Sequence, residues 1–552
     1  MTNTIRVAAA QFHVGDDVDK NLASCLRMMR EASIKKPDLL VLPEFSNHCS
    51  WYNDADHCYS VAVDLDGEFM QAIAECTREI GAHVVINCTV RAKGFRVTGT
   101  IIMLAPDGSI IGTTNKQVLI GHENDFLDPA TEAGPVMDTD LGRLAMYSCM
   151  DGVLNETPRC LALRGAEVLC NSLNSFAIDE GSLHIPVRAA ENKVWVVAAN
   201  KVGPLIPEAL VAPVSEATSI PAHFLNGAGD SQIVAPDGTV IAVAGKGEEI
   251  IVADIAPDEA KNKIRKDGTD IFASRRPELY GSLADDPASQ QITINGPEDV
   301  IAAAVAIENA GDFVEIASKI SAAQNKGAKL ICLSSNACGN ASEDEVIANI
   351  SAVISGDALV AASATNTAIL IGNNGAILRQ PQLHSGPQCA GSDSVQVVDT
   401  DFGRLAVLTD KDIIYPETIR LAALQSVSTV LVPAALQEEW EGRTGVIERA
   451  AENRVNIVLA SQGCGDRASV IASLQKDFTI MTEWKNRPFD GLLSCPEFER
   501  ASDGNSILTK EIHPLAAGNK ECSRNTHLLD ARPWRMLQAI VDSAVHPTID
   551  RA

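Results

Sequence analysis

Short apolar runs rich in branched residues recur along the chain. IRVAAAQF (5–12), PDLLVLPEF (37–45), AHVVINCTV (82–90), TIIMLAP (100–106), RLAMYSC (143–149), AEVLCNS (166–172) and VWVVAAN (194–200) are of this kind. Their length and near-continuous hydrophobicity predict strands buried on both faces. Between several of them the apolar period lengthens to that of a helix, as in NLASCLRMMREAS (21–33) and GEFMQAIAECTREIG (67–81). Pro-Asp-Gly at 106–108 and again at 236–238 predicts hairpin turns. The pattern is that of a mixed α/β protein with helices covering sheets.

The pattern also repeats. DTDLGRLAMYSCMDGVLNETPRCLAL begins at Asp138, and DTDFGRLAVLTDKDIIYPETIRLAAL begins 261 positions later, at Asp399. The same ungapped offset sets RAAENKVWVVAAN, from Arg188, on RAAENRVNIVLAS, from Arg449. Upstream the offset shifts, with Leu42 falling on Leu333. Two homologous domains are expected, 1–282 and 300–552, joined by a polar linker at 283–299 that has no apolar period.

Composition narrows the classes. Hydrophobic residues make up 46% of the 552, enough for a core in each domain, and the formal net charge is −27. No basic stripe is present, so nucleic acid is not an expected partner. No run of about 18 apolar residues suggests a membrane span. The N-terminus lacks a secretory pattern, and the fourteen cysteines lie mostly in apolar stretches; reduced, buried thiols and a cytoplasmic location are expected. The pairs His48-Cys49 and His57-Cys58 fit no known metal spacing, so a pocket-lining loop is expected there and neither a metal nor another cofactor is called for.

Three residues stand just past the carboxyl ends of predicted strands, where α/β proteins place chemistry. Glu44 ends DLLVLPEF; Lys116 follows SIIGTTN; Cys149 ends RLAMYSC ahead of a predicted helix with an acidic first turn. Each alone has a bland reading, as a cap, a solvated charge and an inert buried thiol. A thiol at such a turn also faces backbone N–H groups and a helix dipole, which favour the thiolate.

Taken in order, LPEF, then NK, then a cysteine followed by Asp and later Glu (CMDGVLNE) resemble the signature of the nitrilase superfamily of carbon–nitrogen hydrolases. The resemblance spans the first copy, through RAAEN (188–192) and GDSQIVAPDG (229–238) to RRPELY (275–280). It implies two tandem four-layer α-β-β-α sandwich domains and a thioester mechanism. Cys149 would be the nucleophile, Glu44 the general base and acid, and Lys116 the oxyanion donor together with the backbone N–H of Met150. Glu123 is the expected second glutamate, with Glu132 as the other position. Substrate-shaping candidates are Met150, Trp51, Tyr52, Asn174, Ser175 and His184. Arg188 and Glu191 read as structural, since Arg449 and Glu452 persist in the second copy.

In that copy Ser335 replaces Glu44, Asp410 replaces Cys149, and setting Leu119 on Leu383 puts Gln380 at the lysine. A catalytically inactive domain is expected. It would pair with the first through the helices ETPRCLALR and ETIRLAALQ as an internal pseudo-dimer, with further self-association left open. Met-Asp after the cysteine is closer to amidase and carbamoylase branches than to nitrilases. A linear carboxamide or N-carbamoyl substrate releasing ammonia is expected, ahead of a nitrile or of a non-catalytic scaffold.

Overall fold

The computed structural model describes residues 4–384, 391–504 and 506–542. Contacts divide the chain into two compact units. The first holds the residues up to Lys263, Thr479–Leu493, and the chain from Glu521; the second holds Ile264–Phe478 and Ser494–Lys520. The units are therefore not contiguous in sequence. The expected boundaries at 282 and 299 are those of the sequence repeat. Compactness instead assigns the tail of each repeat to the other unit, together with one internal segment of the second repeat.

Among the described residues, the first unit contains two six-stranded sheets. One runs β12 (Glu249–Ile255), β1 (Ile5–Gln11), β2 (Leu39–Val41), β3 (His83–Ala92), β4 (Arg96–Leu104) and β5 (Ile110–Asn115). The other runs β11 (Val240–Val243), β10 (Gln232–Val234), β9 (Trp195–Ala199), β8 (Val168–Ser172), β7 (Gly142–Ser148) and β6 (Val136–Thr139). The central strands β1–β2–β3 and β7–β8–β9 pair in parallel. Parallel strands must be covered on both faces, which explains their continuous apolar sequence.

The sheets face one another through β1, β2 and β3 against β8 and β9. Helices Val18–Ser33 and Glu68–Ile80 cover the outer face of the first sheet: Met28, Met29, Ala32, Phe69 and Ile73 pack on Ala8, Leu40, Val84 and Ile86. Helices Glu156–Leu163 and Ile185–Asn192 cover the second sheet. This is the four-layer α-β-β-α sandwich.

The second unit repeats it. Its sheets are β17 (Gly375–Pro381), β16 (Thr367–Gly372), β15 (Leu359–Ala364), β14 (Leu330–Leu333), β13 (Val300–Val305), β24 (Ile507–Ile512), and β18 (Val398–Thr400), β19 (Gly403–Val407), β20 (Thr429–Pro433), β21 (Asn456–Gln462), β22 (Ala468–Ser473), β23 (Glu497–Arg500). Ala302, Leu330, Cys332, Leu405, Leu431, Val458 and Ile471 form the core between them. No described helix in the chain is long and apolar enough to cross a membrane.

Candidate active site

Glu44 follows β2 by way of Leu42-Pro43. Its N–H donates to the Leu173 carbonyl at 3.1 Å, tying the end of one sheet to the end of the other. The carboxylate is fully buried. Lys116 leaves β5 with its N–H on Gly99 O (2.8 Å), and its buried Nζ lies 2.8 Å from Glu44 Oε1. The same Nζ lies 2.9 Å and 2.8 Å from the two oxygens of Glu123. Glu123 opens the short helix Glu123–Phe126, and its Oε2 also accepts the Ile120 N–H. Burial opposes the Lys116 ammonium, but Glu123, Glu44 and Cys149 outweigh that cost and hold it well above the ordinary lysine value. Burial raises the Glu123 carboxyl, and Lys116 pulls against it. The approach of Glu44 to Lys116 is ionic rather than aligned as a hydrogen bond, so neither Glu44 oxygen accepts one from the described residues.

Cys149 ends β7 in a conformation side chains rarely adopt, φ 46° and ψ −110°. Two acceptors hold its N–H there, Ser172 O and Asn171 Oδ1, each at 3.1 Å. Such backbone costs about 1–3 kcal/mol and persists only where the surroundings enforce it. Asp151 supplies further enforcement. Its buried carboxylate accepts the N–H groups of Gln117, Val118 and Ser148, locking the lysine loop to the nucleophile turn. Burial pushes the Asp151 carboxyl up to about 7.

The sequence reading expected a helix dipole to favour the thiolate. The structure differs: Cys149 is followed by a single turn, Met150–Val153, and the longer helix starts only at Glu156. Burial, then Glu44, raise the thiol well above its ordinary value despite Lys116. These surroundings favour the neutral form of the Cys149 thiol.

The remaining candidates divide. Met150 is buried directly after the nucleophile. Trp51 stacks on His122 (centroids 5.0 Å apart), and Tyr52 packs against His48, His122 and Phe126. These residues brace the turn that carries Glu123. Asn174 donates to Ser50 at 3.0 Å. Ser175 spends its N–H on Asn200 and its hydroxyl on the Ala177 N–H, which makes it a turn former. His184 lies 3.6 Å from Asp179. His48 and His57 meet edge to face at 5.5 Å, and burial pushes the Cys49 and Cys58 thiols up to about 11 and about 12. Arg188 ties Gly152 O and Val153 O to Glu191, and Arg449 repeats the ion pair with Glu452.

Two buried groups escaped the sequence reading. Lys201 donates to Phe45 O at 3.2 Å, fixing the residue after Glu44 at φ 48°; burial lowers the lysine to about 8. Glu180 places Oε1 3.7 Å from Cys149 Sγ. The 261-residue offset sets Glu180 on Glu441, a signal that was readable but looks structural because it survives in the second copy.

The second unit keeps the frame and changes the groups. Ser335 donates its N–H to Ala434 O, as Glu44 does to Leu173 O. Asp412 accepts the N–H groups of Leu383 and His384, as Asp151 does those of Gln117 and Val118. This register puts Gln382 at the lysine position, not Gln380. Gln382 donates its N–H to Asn366 O beyond β17, whereas Gln380 lies within the strand, paired with Ala368. Asp410 accepts the Ala435 N–H.

Residues 6–265 match the family described as carbon-nitrogen hydrolase. A nitrilase from Pyrococcus abyssi is 28% identical over 264 residues, which cover 48% of this chain and 93% of the relative. An N-carbamoylputrescine amidase from Solanum lycopersicum is 26% identical over 295 residues, 50% of this chain and 94% of the relative. The crystal structure of the C. elegans NitFhit protein matches at 23% identity with a TM-score of 0.44, over 50% of this chain and 66% of that one. With a buried Glu–Lys–Cys set on this scaffold, the first half of the chain belongs to the carbon–nitrogen hydrolases of the nitrilase superfamily.

Proposed function

We propose that the first unit hydrolyses a linear carboxamide or an N-carbamoyl compound through a thioester on Cys149. The observation that carries this reading is Lys116 Nζ held between Glu44 and Glu123, beside a nucleophile in strained backbone, with no exposed group in the set. The neutral thiol gives its proton to Glu44, whose two oxygens accept no hydrogen bond from the described residues, as Sγ attacks the carbonyl carbon. Lys116 and the Met150 N–H receive the oxyanion. Collapse passes the Glu44 proton to the departing nitrogen and leaves an acyl or carbamoyl thioester. Glu44 then deprotonates water, which releases the acid and restores the thiol. A carbamic acid formed this way loses carbon dioxide.

The carbamoyl arm draws support from the tomato relative, named for an N-carbamoyl amine. The Pyrococcus relative, named a nitrilase, makes nitrile hydrolysis the second reading; the same thiol would add to the nitrile carbon and give a thioimidate before the thioester. An ammonia-release screen over amides, carbamoyl amines and nitriles separates the two. Ammonia from amides or carbamoyl amines supports the first reading. Ammonia from nitriles alone replaces it with the second, and none from any class returns the chain to a scaffold.

A further inference from the structure

The β10–β11 connection of the first unit is a tight turn: Ala235 N–H donates to Thr239 O, and Gly238 sits at φ 82°. The corresponding strands of the second repeat, β22 and β23, are joined instead by residues 474–496. A connection of that length without helix or strand of its own is uncommon and usually has a task. Its middle, Thr479–Leu493, belongs to the first compact unit.

There it grips one turn. Ile178 N–H donates to Gly491 O at 3.1 Å, and Leu493 N–H donates to Asp179 Oδ1 at 2.8 Å. Phe489 packs against Phe176 (5.8 Å) and Phe224 (5.5 Å), with Trp484 behind it (4.7 Å). The next residue, Glu180, begins the π-helical turn Glu180–His184 and places Oε1 3.7 Å from the nucleophilic sulfur. Its Oε2 is fully buried and accepts no hydrogen bond from the described residues.

Glu441 shows what this position looks like when it is structural. It is ion-paired with Arg265 and accepts the N–H groups of Gln437 and Glu438. Around Glu180 stand Asp179 and His184 from its own turn, Glu44 beyond β2, and Cys149 and Tyr147 on the β7 side. Burial pushes its carboxyl up to about 7, with Asp179 and Glu44 adding to the rise and His184 and the thiol opposing it.

We propose that Glu180 is a fourth catalytic group, the hydrogen-bond acceptor of the Cys149 thiol, and that residues 479–493 of the second repeat are its positioning segment. The proposal rests on Cys149 as nucleophile. As the anion, Glu180 accepts the S–H and aims Sγ. During attack the S–H turns from Glu180 to Glu44, which takes the proton, and Glu180 ends the step with the charge it began with. Protonation below about 7 removes the charge that makes Glu180 a strong acceptor and turns one of its oxygens into a donor, so the competent fraction falls as pH falls.

The test is iodoacetamide alkylation of Cys149 in the full chain, followed by peptide mass spectrometry across pH 5–9; it needs no substrate. The wild type is expected to show an inflection near pH 7 that Glu180→Gln abolishes. Replacing 475–495 by Ala-Pro-Asp-Gly-Thr, the turn of the first repeat, should shift or broaden the inflection; Phe489→Ala should do so more weakly and serves if the shortened chain does not fold. Superimposable profiles for wild type and Glu180→Gln would overturn the catalytic role. An unchanged inflection in both loop variants would overturn the positioning role. A Cys149 that stays unreactive at every pH would sink the proposed function, and this proposal with it.

Discussion

The two units present the same frame with different groups at the strand ends. In each, a buried aspartate, Asp151 or Asp412, ties a loop to a strand end, and an arginine–glutamate pair, Arg188–Glu191 or Arg449–Glu452, braces the helix behind. In the first unit, Glu44, Glu123 and Cys149 are buried around the Lys116 ammonium, Glu180 reaches the thiol, and Lys201 is buried nearby. In the second, Ser335 and Gln382 carry no charge, Asp410 stands at the cysteine position and accepts the Ala435 N–H, and Glu441 has an arginine of its own. His384 there bridges Tyr280 (2.7 Å) and Asp412 (2.9 Å) in a closed hydrogen-bonded chain. Buried ionisable groups without full pairing cost stability and persist where chemistry needs them.

This contrast can be broken most sharply at the nucleophile. Cys149→Ala should lower turnover by about 10³-fold or more while circular dichroism stays unchanged. Residual activity at a tenth of wild type would move the nucleophile elsewhere. Glu44→Gln keeps the shape and removes the base; kcat should fall about 10²- to 10⁴-fold with KM little altered. A near-normal kcat would pass the base role to Glu123 or Glu180.

The second unit should respond in stability instead. Arg265→Ala leaves the buried Glu441 without its cation and should cost about 3–5 kcal/mol in denaturant unfolding. The kcat of the folded fraction should stay unchanged. A fall in kcat with no loss of stability would mean that the second unit takes part in the chemistry.

A smaller effect should appear in pH. Asp151 and Glu180 are raised by burial to about 7, whereas unfolded carboxyls titrate near about 4. Between those values the folded chain keeps protons the unfolded chain has lost, so these groups make stability fall as pH rises from about 4 to about 7, and then level off. Glu180→Gln should flatten part of that slope in unfolding series at pH 5 and pH 7; an unchanged slope would contradict the assignment. The smallest effect is expected of Asp410→Ala, which should leave kcat and KM as they are. A loss of activity there would reveal chemistry in the second unit.

Much of this was legible in the sequence, and the exceptions have physical reasons. The buried strands announce themselves as continuous apolar runs, and the repeat reports the duplication through one shared offset. Glu44, Lys116 and Cys149 lie at strand ends in a recognisable order. Glu180 does not, because it follows an irregular loop and meets Cys149 only through tertiary folding. The Gln380 alignment rested on one leucine; the backbone hydrogen bonds to Asp412 moved the match by two residues. The exchanged tails were invisible because repeat alignment finds homologous ends, whereas compact units are set by where those ends pack. The 474–496 excursion has no apolar period to mark it, and the aromatic side chains in it find their partners, Phe176 and Phe224, only through tertiary folding.

The central claim is that chemistry resides in the first unit and passes through a covalent bond to Cys149. Its most direct test is acid quenching of the full-length protein during turnover of an amide that releases ammonia in the screen, followed by peptide mapping of every cysteine and of Asp410. The account predicts one adduct of acyl mass, on the peptide carrying Cys149, and none on that peptide in Cys149→Ala. Steady turnover with an adduct on any other residue, or with Cys149→Ala still active, would contradict it.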